Sequence, residues 1–457
     1  MAAQIEQPLR NPAASTATRL DFAGADAGLL DTWVDRRRAS RDGLSKSGRT
    51  ADGTRRQGPD RRAAPSCRVV TTDAGFDALR KPWTDLHGRI RGTVFQSFEW
   101  QRTWWKHCGG ANHDRSLRIV VFSRGPEVVA IAPLMIETER VLGVVPVKIL
   151  RFIATGVSDY LGVLCEPRAT NAVAGAFVQV LADLGAEIVS LRDLASGAEF
   201  CLRLTDLLKA GQWVVDDIAS ERCPRTQLAA TWAGTLAAFP RSVRKRMTNT
   251  LNRVERDFEV EYSVIERQDE FSEVFAWLTT AHQAQWQKRG HGGVFKHPQE
   301  AAFLQQVARE LLPAGWLYLA QLKLNGRRVA VEYGFQVGDS LQVYQGAMDC
   351  PKEWERYSPG TVIHLLGMKA MIARGVRIYD FLRGAEPYKY HLGAVDDCTW
   401  HLQFFRRDSF VVVRWKLRLW QLQKAARQWL GNTLVALQSR SRNGDSDPDT
   451  DGARRGD

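Results

Sequence analysis

The pattern of hydrophobic and polar positions predicts two units with the same order of elements: two helices, three antiparallel strands, a further helix and a closing strand. In the first half these elements cover 76–90, 97–108, 118–136 as a hairpin, 148–164, 169–185 and 187–194. In the second half they cover 269–290, 298–312, 316–324, 327–337, 341–349, 358–374 and 376–382. Helical periodicity and strict alternation distinguish the two kinds of segment. The sequence therefore predicts an α/β fold with a mixed (α+β) sheet, built from an internal duplication.

Turn residues support this assignment in the second half. Asn325-Gly326 separates two alternating strands, and both residues tolerate a positive φ, as a tight hairpin requires. A charged helix at 240–257 joins the two halves. After residue 410 a last helix is predicted, which carries on one face Trp415, Leu419, Leu422, Ala426 and Trp429.

The two ends of the chain lack this periodicity. Residues 1–66 are rich in Arg, Ala, Gly, Asp and Ser, and residues 441–457 have a similar composition. Such segments cannot bury enough apolar surface to offset chain entropy, so disorder is predicted. The predicted division is a disordered basic tail at 1–66, units at 67–222 and 223–410, a basic-aromatic amphipathic helix at 411–440 and a disordered tail at 441–457.

Composition narrows the class of protein. The 457 residues are 44% hydrophobic, which is enough for a large core and two domains. The formal charge of +12 suits phosphate-bearing ligands, nucleic acid or anionic lipid without distinguishing them. Seven isolated cysteines without a CxxC pair predict reduced thiols and no zinc site. No apolar run reaches membrane-spanning length, and the expectation is a soluble, cytoplasmic protein.

Ionisable side chains lie at the end of the strand 376–382 and directly after it, more densely than packing requires: Asp380, Arg383, Glu386, Tyr388 and Lys389. One interpretation is a surface salt-bridge network, which contributes little stability. The other is a ligand site, in which Arg383 and Lys389 bind phosphate or carboxylate. Asp380 or Glu386 is then the general base, and Tyr388 contacts the acceptor.

The segment 357–361 opens the predicted helix and also has two interpretations. In the first, Ser358 caps the helix and Pro359 occupies its first position. In the second, the bare backbone of Gly360 lets a phosphate approach the helix N-terminus, where the helix dipole favours anions. Tyr357 and Thr361 flank this candidate phosphate site.

Further candidate residues lie within a strand or at the end of one. Glu332 lies within an apolar strand, where a carboxylate needs a partner, and it is an alternative base. Asp159 and Tyr160 end a strand of the first unit and are candidates for a cleft between the units.

Polar residues on two helices complete the candidates. His282, Trp286 and Arg289 lie on one helix face. That face is either an amphipathic edge with a core tryptophan or an acceptor site in which Trp286 stacks on a sugar. The basic residues of 240–257 form either a solvated face or a surface that steers coenzyme A, a nucleotide-linked precursor or RNA.

Several short motifs occur in a characteristic order: Phe95–Trp100, Trp104-Trp105, Ile131–Leu134, Ser158–Tyr160, the helix from Ser242, His282 with Trp286 and Arg289-Gly290, Tyr357–Gly360, and Tyr379–Gly384 through Tyr388-Lys389. In this order they resemble tandem GNAT-fold proteins, such as the Fem-type aminoacyltransferases. Within that group they look most like the BioF2-like, CelD-type acetyltransferases linked to cellulose and exopolysaccharide synthesis. By contrast, no GxSxG, GxGxxG or GxxxxGK[ST] motif supports a hydrolase, Rossmann or P-loop interpretation.

The resemblance implies transfer of an acetyl or acyl group from acyl-CoA, without a metal, to an amine or hydroxyl of a cell-envelope or exopolysaccharide precursor. Acyl-CoA would lie across the strands of 316–349, with its pyrophosphate at Ser358–Thr361. The pattern places Tyr344 in the core, whereas the resemblance allows its phenol to protonate the leaving thiolate. The chain departs from ordinary GNAT enzymes in one respect. Their usual Gln/Arg-x-x-Gly-x-Gly/Ala loop is missing here, and Pro359 removes one backbone N–H donor.

Two alternatives stay open. In the first, aminoacyl-tRNA replaces acyl-CoA as the donor, and the basic helix from Arg241 holds the RNA; otherwise nucleic acid is not an expected partner. In the second, the chain is a non-catalytic accessory of an exopolysaccharide machine. The C-terminal helix, with its Trp, Lys and Arg, either docks on the protein's own core or contacts the inner face of the membrane peripherally.

Overall fold

The computed structural model describes residues 64–195, 199–290 and 292–409, and then 411–416, 418–419, 422–423, 425–426 and 429. The side chains of residues 216–219 are not described. The disorder predicted for 1–66 and 441–457 lies outside these residues, except for 64–66. Of the predicted C-terminal helix, the part after residue 429 also lies outside them.

Each half of the chain contributes helices and strands in the predicted order, with additional elements. The first half consists of β1 Ser66–Val70, α1 Asp73–Asp77, α2 Arg80–Ile90, α3 Phe98–Trp104, β2 Arg115–Leu117, β3 Ile119–Arg124, β4 Glu127–Ala132, β5 Leu134–Val141, β6 Val145–Phe152, β7 Leu164–Cys165, α4 Thr170–Leu181, β8 Ile188–Ala195, α5 Glu199–Ala210 and β9 Trp213–Gln227. The second half consists of α6 Trp232–Ala238, α7 Arg241–Asp257, β10 Val260–Val264, α8 Gln268–Lys288, α9 Pro298–Leu311, β11 Leu317–Leu324, β12 Arg327–Val337, β13 Ser340–Met348, α10 Pro359–Ala373, β14 Ile378–Asp380, α11 Pro387–His391 and β15 Val395–Arg406.

One large mixed sheet runs through both halves. Its eleven strands have the order β10-β11-β12-β13-β14-β9-β15-β8-β6-β5-β2, and a smaller sheet has the order β1-β3-β4-β7. Within the large sheet, β13 pairs with β14 and β6 with β8 in parallel. Strand β9 lies between β14 and β15, so each unit contributes a strand inside the other's part of the sheet. This is the predicted mixed α/β architecture of two tandem units.

The first unit contains the main error in the predicted elements. Residues 148–164 do not form one strand, because β6 ends at Phe152, Leu161 makes only an isolated bridge to Leu194, and Leu164–Cys165 then pair as β7. The backbone of Ala154, Gly156 and Tyr160 has a positive φ, which a continuous strand does not allow. Residues 153–163 are therefore a loop, called loop 153–163 below, and this loop reaches the second unit.

The two units share a hydrophobic core around Trp100. Its ring packs edge-to-face on Phe95 of its own unit and on Phe303 of the second unit, each with centroids 4.9 Å apart. Phe335 on β12 makes a similar contact at 5.3 Å. The indole N–H donates a hydrogen bond of 2.8 Å to Ser158 of loop 153–163. Core packing thus fixes that loop against the second unit.

Candidate active site

Strands β13 and β14 diverge soon after they begin. They pair over three positions and the pairing ends at Gln342 and Asp380, although β13 continues to Met348. Gly346 and Met348 are exposed on this continuation. Divergence of two parallel strands inside a sheet leaves backbone groups of β13 without a strand neighbour on one side, and an extended ligand can occupy such an edge.

A β-bulge at Tyr344 bends β13 where the strands separate. Tyr333 of β12 faces Gln345 and Gly334 faces Val343, so that Tyr344 is the extra residue. A Cβ on Gly334 would lie 2.3 Å from the carbonyl oxygen of Gln342, and only glycine fits there.

Helix α10 begins beside the far end of β13. A Cβ on Gly360 would lie 2.5 Å from Sδ of Met348, which shows how closely the helix start and the strand end approach. The expected capping by Ser358 is wrong: this residue has a left-handed backbone and its side chain makes no capping bond. Pro359 does occupy the first helical position. The helix N-terminus therefore lies next to the open edge of β13 without a side-chain cap.

Tyr357 anchors the start of α10 to α7. Its hydroxyl donates a 2.9 Å hydrogen bond to Asp257, and the side chains of Arg253 and Arg356 lie over its ring at 5.5 and 4.9 Å from the centroid. The hydrogen bond from Arg256, and then that from Tyr357, lowers the pKa of Asp257 to about 2. Tyr357 thus has a structural role, and it brings two guanidinium groups close to the helix start.

Asp380, the last residue of β14, is buried between the two units. It accepts 2.7 Å hydrogen bonds from the hydroxyl of Tyr160 in loop 153–163 and from the backbone N–H of Leu382. Burial raises the pKa of Asp380 to about 7, although both hydrogen bonds act in the opposite direction. A carboxyl group with this pKa can exchange protons at neutral pH.

Arg383 is the centre of an ion-pair cluster between the units. Its guanidinium contacts Asp159 at 2.5 Å and Asp193 at 2.9 Å, and it donates a 3.0 Å hydrogen bond to the carbonyl of Ser158. Burial alone would lower the pKa of Arg383, but Asp159, then Asp193 and Glu221, outweigh it and raise the pKa. The cation predicted to bind phosphate is thus already surrounded by carboxylates from the first unit.

Lys389 is buried, and its ammonium group stabilises the turn after β14. It donates hydrogen bonds to the carbonyls of Leu382, Arg383 and Gly384 at 3.3, 2.8 and 3.0 Å. It also forms a 2.8 Å ion pair with Glu386. Lys389, the second cation predicted to bind phosphate, therefore already has partners within the protein. Glu386 likewise already has a charged partner.

Glu332 lies in a buried hydrogen-bond network below α10. It accepts hydrogen bonds from the hydroxyls of Tyr318 at 2.8 Å and Tyr379 at 3.1 Å, and it contacts Nδ1 of His364. Gly367 makes this approach possible, because a Cβ there would lie 2.5 Å from the Tyr318 hydroxyl. The expectation that Glu332 needs a partner is confirmed. Sequence reasoning missed His364, and the signal was a lone histidine in an apolar helix, four residues after Gly360.

Tyr388 covers the exposed side of His364. The two rings stack with centroids 5.5 Å apart and planes 15° apart, and Phe381 meets the His364 ring edge-on. Tyr388 is exposed, whereas Phe381 is buried. An aromatic cluster therefore lies beside the gap where β13 and β14 diverge.

Tyr344 and His282 pack into the core on the opposite face of the sheet. The Tyr344 hydroxyl donates a 2.7 Å hydrogen bond to the carbonyl of Val157, which is the core placement that the pattern predicts. His282 is buried beside Gln345 of β13, with 3.0 Å between Nε2 and the amide oxygen. Burial lowers the pKa of His282 to about 4, so its imidazole is neutral at pH 7.

Trp286 and Arg289 continue the helix face that His282 begins. The guanidinium of Arg289 lies 5.8 Å from the Trp286 centroid. Arg289 is exposed, and Trp286 is half-buried. This arrangement is an amphipathic helix edge, and its contact with an acceptor stays a prediction.

Most of the candidate residues fall in two places. Around loop 153–163 it brings together Asp159, Tyr160, Tyr344, Asp380 and Arg383. On the α10 side of the sheet lie Glu332, Tyr357, Ser358, Gly360, Thr361 and Tyr388, together with His364. The catalytic and binding roles of these residues stay predictions.

Comparisons with known proteins agree with this fold. Residues 241–390, about a third of the chain, match a family model described as an acetyltransferase (GNAT) domain. No curated protein matches the chain. Among solved structures, FemX has 12% sequence identity and a TM-score of 0.52, over 76% of this chain and 99% of FemX. A conserved protein of unknown function from Bacteroides thetaiotaomicron has 13% identity and a TM-score of 0.47, over 74% of this chain and 100% of that protein.

Residues 241–390 of the second unit thus resemble a GNAT acetyltransferase domain, within a mixed sheet to which both units contribute. The likeness to FemX shows a shared fold. A GNAT domain implies an acyltransferase and, in general, the use of acyl-CoA. Among the described residues, no group of three or more His, Cys, Asp or Glu could hold a metal ion.

Proposed function

We propose that this protein transfers an acetyl or other acyl group from acyl-CoA to an amine or hydroxyl of a cell-envelope or exopolysaccharide precursor. The observation that carries the proposal is the divergence of β13 from β14, with the start of α10 beside the open end of β13. The matched GNAT domain covers this whole region.

The donor would lie along the open edge of β13. The amides of the pantetheine arm resemble a peptide, and the backbone of 344–348, which lies beyond the pairing with β14, offers them hydrogen-bonding groups. The pyrophosphate would then reach Gly360 at the start of α10, where backbone N–H groups and the helix dipole favour anions. Arg253 and Arg356 lie nearby and add positive charge. Arg383 and Lys389 would support the site by holding loops rather than by binding phosphate.

The acceptor would attack the thioester directly. Its nitrogen or oxygen bonds to the acyl carbon, the carbon–sulfur bond breaks, and the acceptor proton passes to a general base. Of the three predicted bases, Asp380 fits best, because its pKa is about 7, Glu386 is paired with Lys389, and Glu332 already accepts hydrogen bonds from two tyrosines. The acceptor class rests on the resemblance to exopolysaccharide-linked acetyltransferases. The exposed arginines of α7 suit an acceptor that carries phosphate.

The test is the thermal unfolding midpoint with and without acetyl-CoA. A ligand that binds only the folded state at a hundred times its Kd adds about 2.7 kcal/mol to the free energy of unfolding. The Gly360→Val variant should lose the rise in midpoint, because its side chain would meet Met348 and block the helix start. Gly175→Val in α4 is the matched control, since a Cβ there meets nothing within 4 Å.

Two results would contradict the proposed donor. One is an unchanged midpoint of the wild-type protein at millimolar acetyl-CoA. The other is an equal rise in Gly360→Val and Gly175→Val, which would place the ligand elsewhere. If acetyl-CoA does not bind but RNA co-purifies and dissociates steeply with salt, aminoacyl-tRNA is the donor instead.

A further inference from the structure

The described part of the C-terminal helix turns apolar side chains toward solvent. Val411, Trp415, Leu422 and Trp429 are all exposed, and their spacing of four, seven and seven residues places them on one helix face. The helix is nevertheless docked on the protein, because Val413 is buried beside Phe405. Its apolar stripe therefore faces outward while other side chains hold the helix in place.

The turn between β5 and β6 extends this apolar surface. Leu142 and Val144 at the tip are exposed, and the backbone N–H of Leu142 donates a 2.8 Å hydrogen bond to the side chain of Gln423. Lys416 donates a 3.1 Å hydrogen bond to the carbonyl of Pro146, at the start of β6. These two contacts hold the hairpin tip against the helix.

Together these residues form one surface, called the tryptophan patch below. Its members are each between 56% and 78% exposed: Leu142, Val144, Val411, Val412, Trp415, Leu422 and Trp429. Single exposed apolar residues are common on proteins, but a contiguous group on two elements marks an interaction site.

Charge distinguishes between the kinds of partner. The segment 411–430 contains no Asp or Glu, and its five cations are Arg414, Lys416, Arg418, Lys424 and Arg427. Tryptophan beside Lys and Arg is typical of helices that lie in the interface of an anionic bilayer, where the indole bridges the apolar and aqueous layers. The charge of +12 for the whole chain adds long-range attraction to such a surface.

We propose that the tryptophan patch docks this protein on the surface of an anionic lipid bilayer. The apolar side chains of the helix and of the hairpin tip enter the headgroup region together, and Arg418, which is exposed on the helix, contacts the lipid phosphates. No helix among the described residues is long and apolar enough to cross a membrane. The proposal is independent of the acyl transfer proposed above.

Flotation of the full chain with vesicles tests the proposal. The protein should float with vesicles of phosphatidylglycerol and phosphatidylcholine, remain unbound with phosphatidylcholine alone, and dissociate as salt screens the charges. The double variant Trp415→Ser/Leu422→Ser should lose at least tenfold in binding. Val144→Ser should weaken it too, because the hairpin tip belongs to the same patch. Val395→Ser is the control, since this exposed valine at the start of β15 lies outside the patch.

Three results would overturn the proposal. The wild-type protein could fail to float with anionic vesicles, or the double variant could float as well as the wild type. Light scattering could instead show a dimer that the double variant loses, which would make a second copy of the chain the occupant. All variants change exposed residues, so the acetyl-CoA shift of the unfolding midpoint should stay as in the wild type and report separately on the proposed acyl transfer.

Discussion

At the scale of single residues, burial decides the behaviour of the carboxyl groups near the divergent strands. Asp380 accepts two hydrogen bonds, yet its pKa is raised to about 7, because removing the charge from water costs more than the hydrogen bonds return. Glu332 has three polar partners in an otherwise apolar layer. The two carboxyl groups thus differ: the pKa of Asp380 lies near neutral pH, whereas Glu332 is held by fixed hydrogen bonds.

The pH dependence of turnover follows from Asp380. As the proposed general base it must be ionised, so kcat/KM should rise as the pH increases through about 7. Asp380→Asn should reduce kcat/KM by about 10²- to 10⁴-fold, the usual contribution of a general base. A pH–rate profile of both proteins on the same acceptor checks this expectation. An unchanged profile in the variant would exclude Asp380 as the base.

The pKa of Asp380 also sets the sign of a stability effect. Its folded-state pKa lies above the unfolded value, so its stabilising contribution is complete below about pH 4 and is lost as the pH rises through about 7. Denaturant unfolding from pH 5 to pH 8 should therefore show a smaller loss of stability in Asp380→Asn than in the wild type. Equal losses in the two proteins would contradict the raised pKa.

Glu332 should matter for stability more than an exposed carboxylate does. Glu332→Ala leaves the buried hydroxyls of Tyr318 and Tyr379 without their acceptor, at a cost of about 3 kcal/mol. Glu273→Ala is the control, because Glu273 pairs with Arg328 at the surface and should cost less than about 1 kcal/mol. Urea unfolding measures both changes. Similar small losses would show that the network adds no stability.

At the scale of elements, local signals predict local structure well. Strand β12 has the predicted bounds, because alternating apolar residues lie between the turns at Asn325-Gly326 and Gly338-Asp339. The sequence does not predict strand β9, since Pro224 and many polar residues argue against a central strand, and its pairing with β15 and β14 explains it. The sequence pattern predicts a strand through residues 153–163. The structure has a loop there instead, and its backbone conformation depends on contacts with the other unit, which the local sequence does not reveal.

The ion-pair cluster around Arg383 should hold loop 153–163 on the second unit. Arg383→Met would leave Asp159 and Asp193 buried without their cation, which should cost about 3–5 kcal/mol in the free energy of unfolding. Arg222→Met is the control, because its ion pair with Asp396 is exposed.

The same pair of variants distinguishes a structural Arg383 from a ligand-binding one. If Arg383 instead binds cofactor phosphate, Arg383→Met should lose no more free energy of unfolding than Arg222→Met. It should nevertheless bind acetyl-CoA much more weakly. Chemical unfolding together with acetyl-CoA titration of the folded variants therefore decides between the two roles.

At the scale of the whole molecule, the sequence predicts the arrangement of elements better than the contacts of the candidate residues. The tandem α/β units and the polar cluster after β14 follow from periodicity and from local composition. The partners of Arg383, Lys389 and Tyr344 could not be predicted, because they come from backbone carbonyls and from loop 153–163 of the other unit. His364 joins Glu332 only when α10 packs on β12.

The most direct test of the central claim is amide hydrogen exchange of the wild-type protein with and without acetyl-CoA. The account predicts slower exchange at two places, the edge 344–348 of β13 and the first turns of α10 after Pro359, with little change in α8. Protection confined to other segments, or none at saturating acetyl-CoA, would contradict the claim that the divergence of β13 and β14 is the acyl-CoA site.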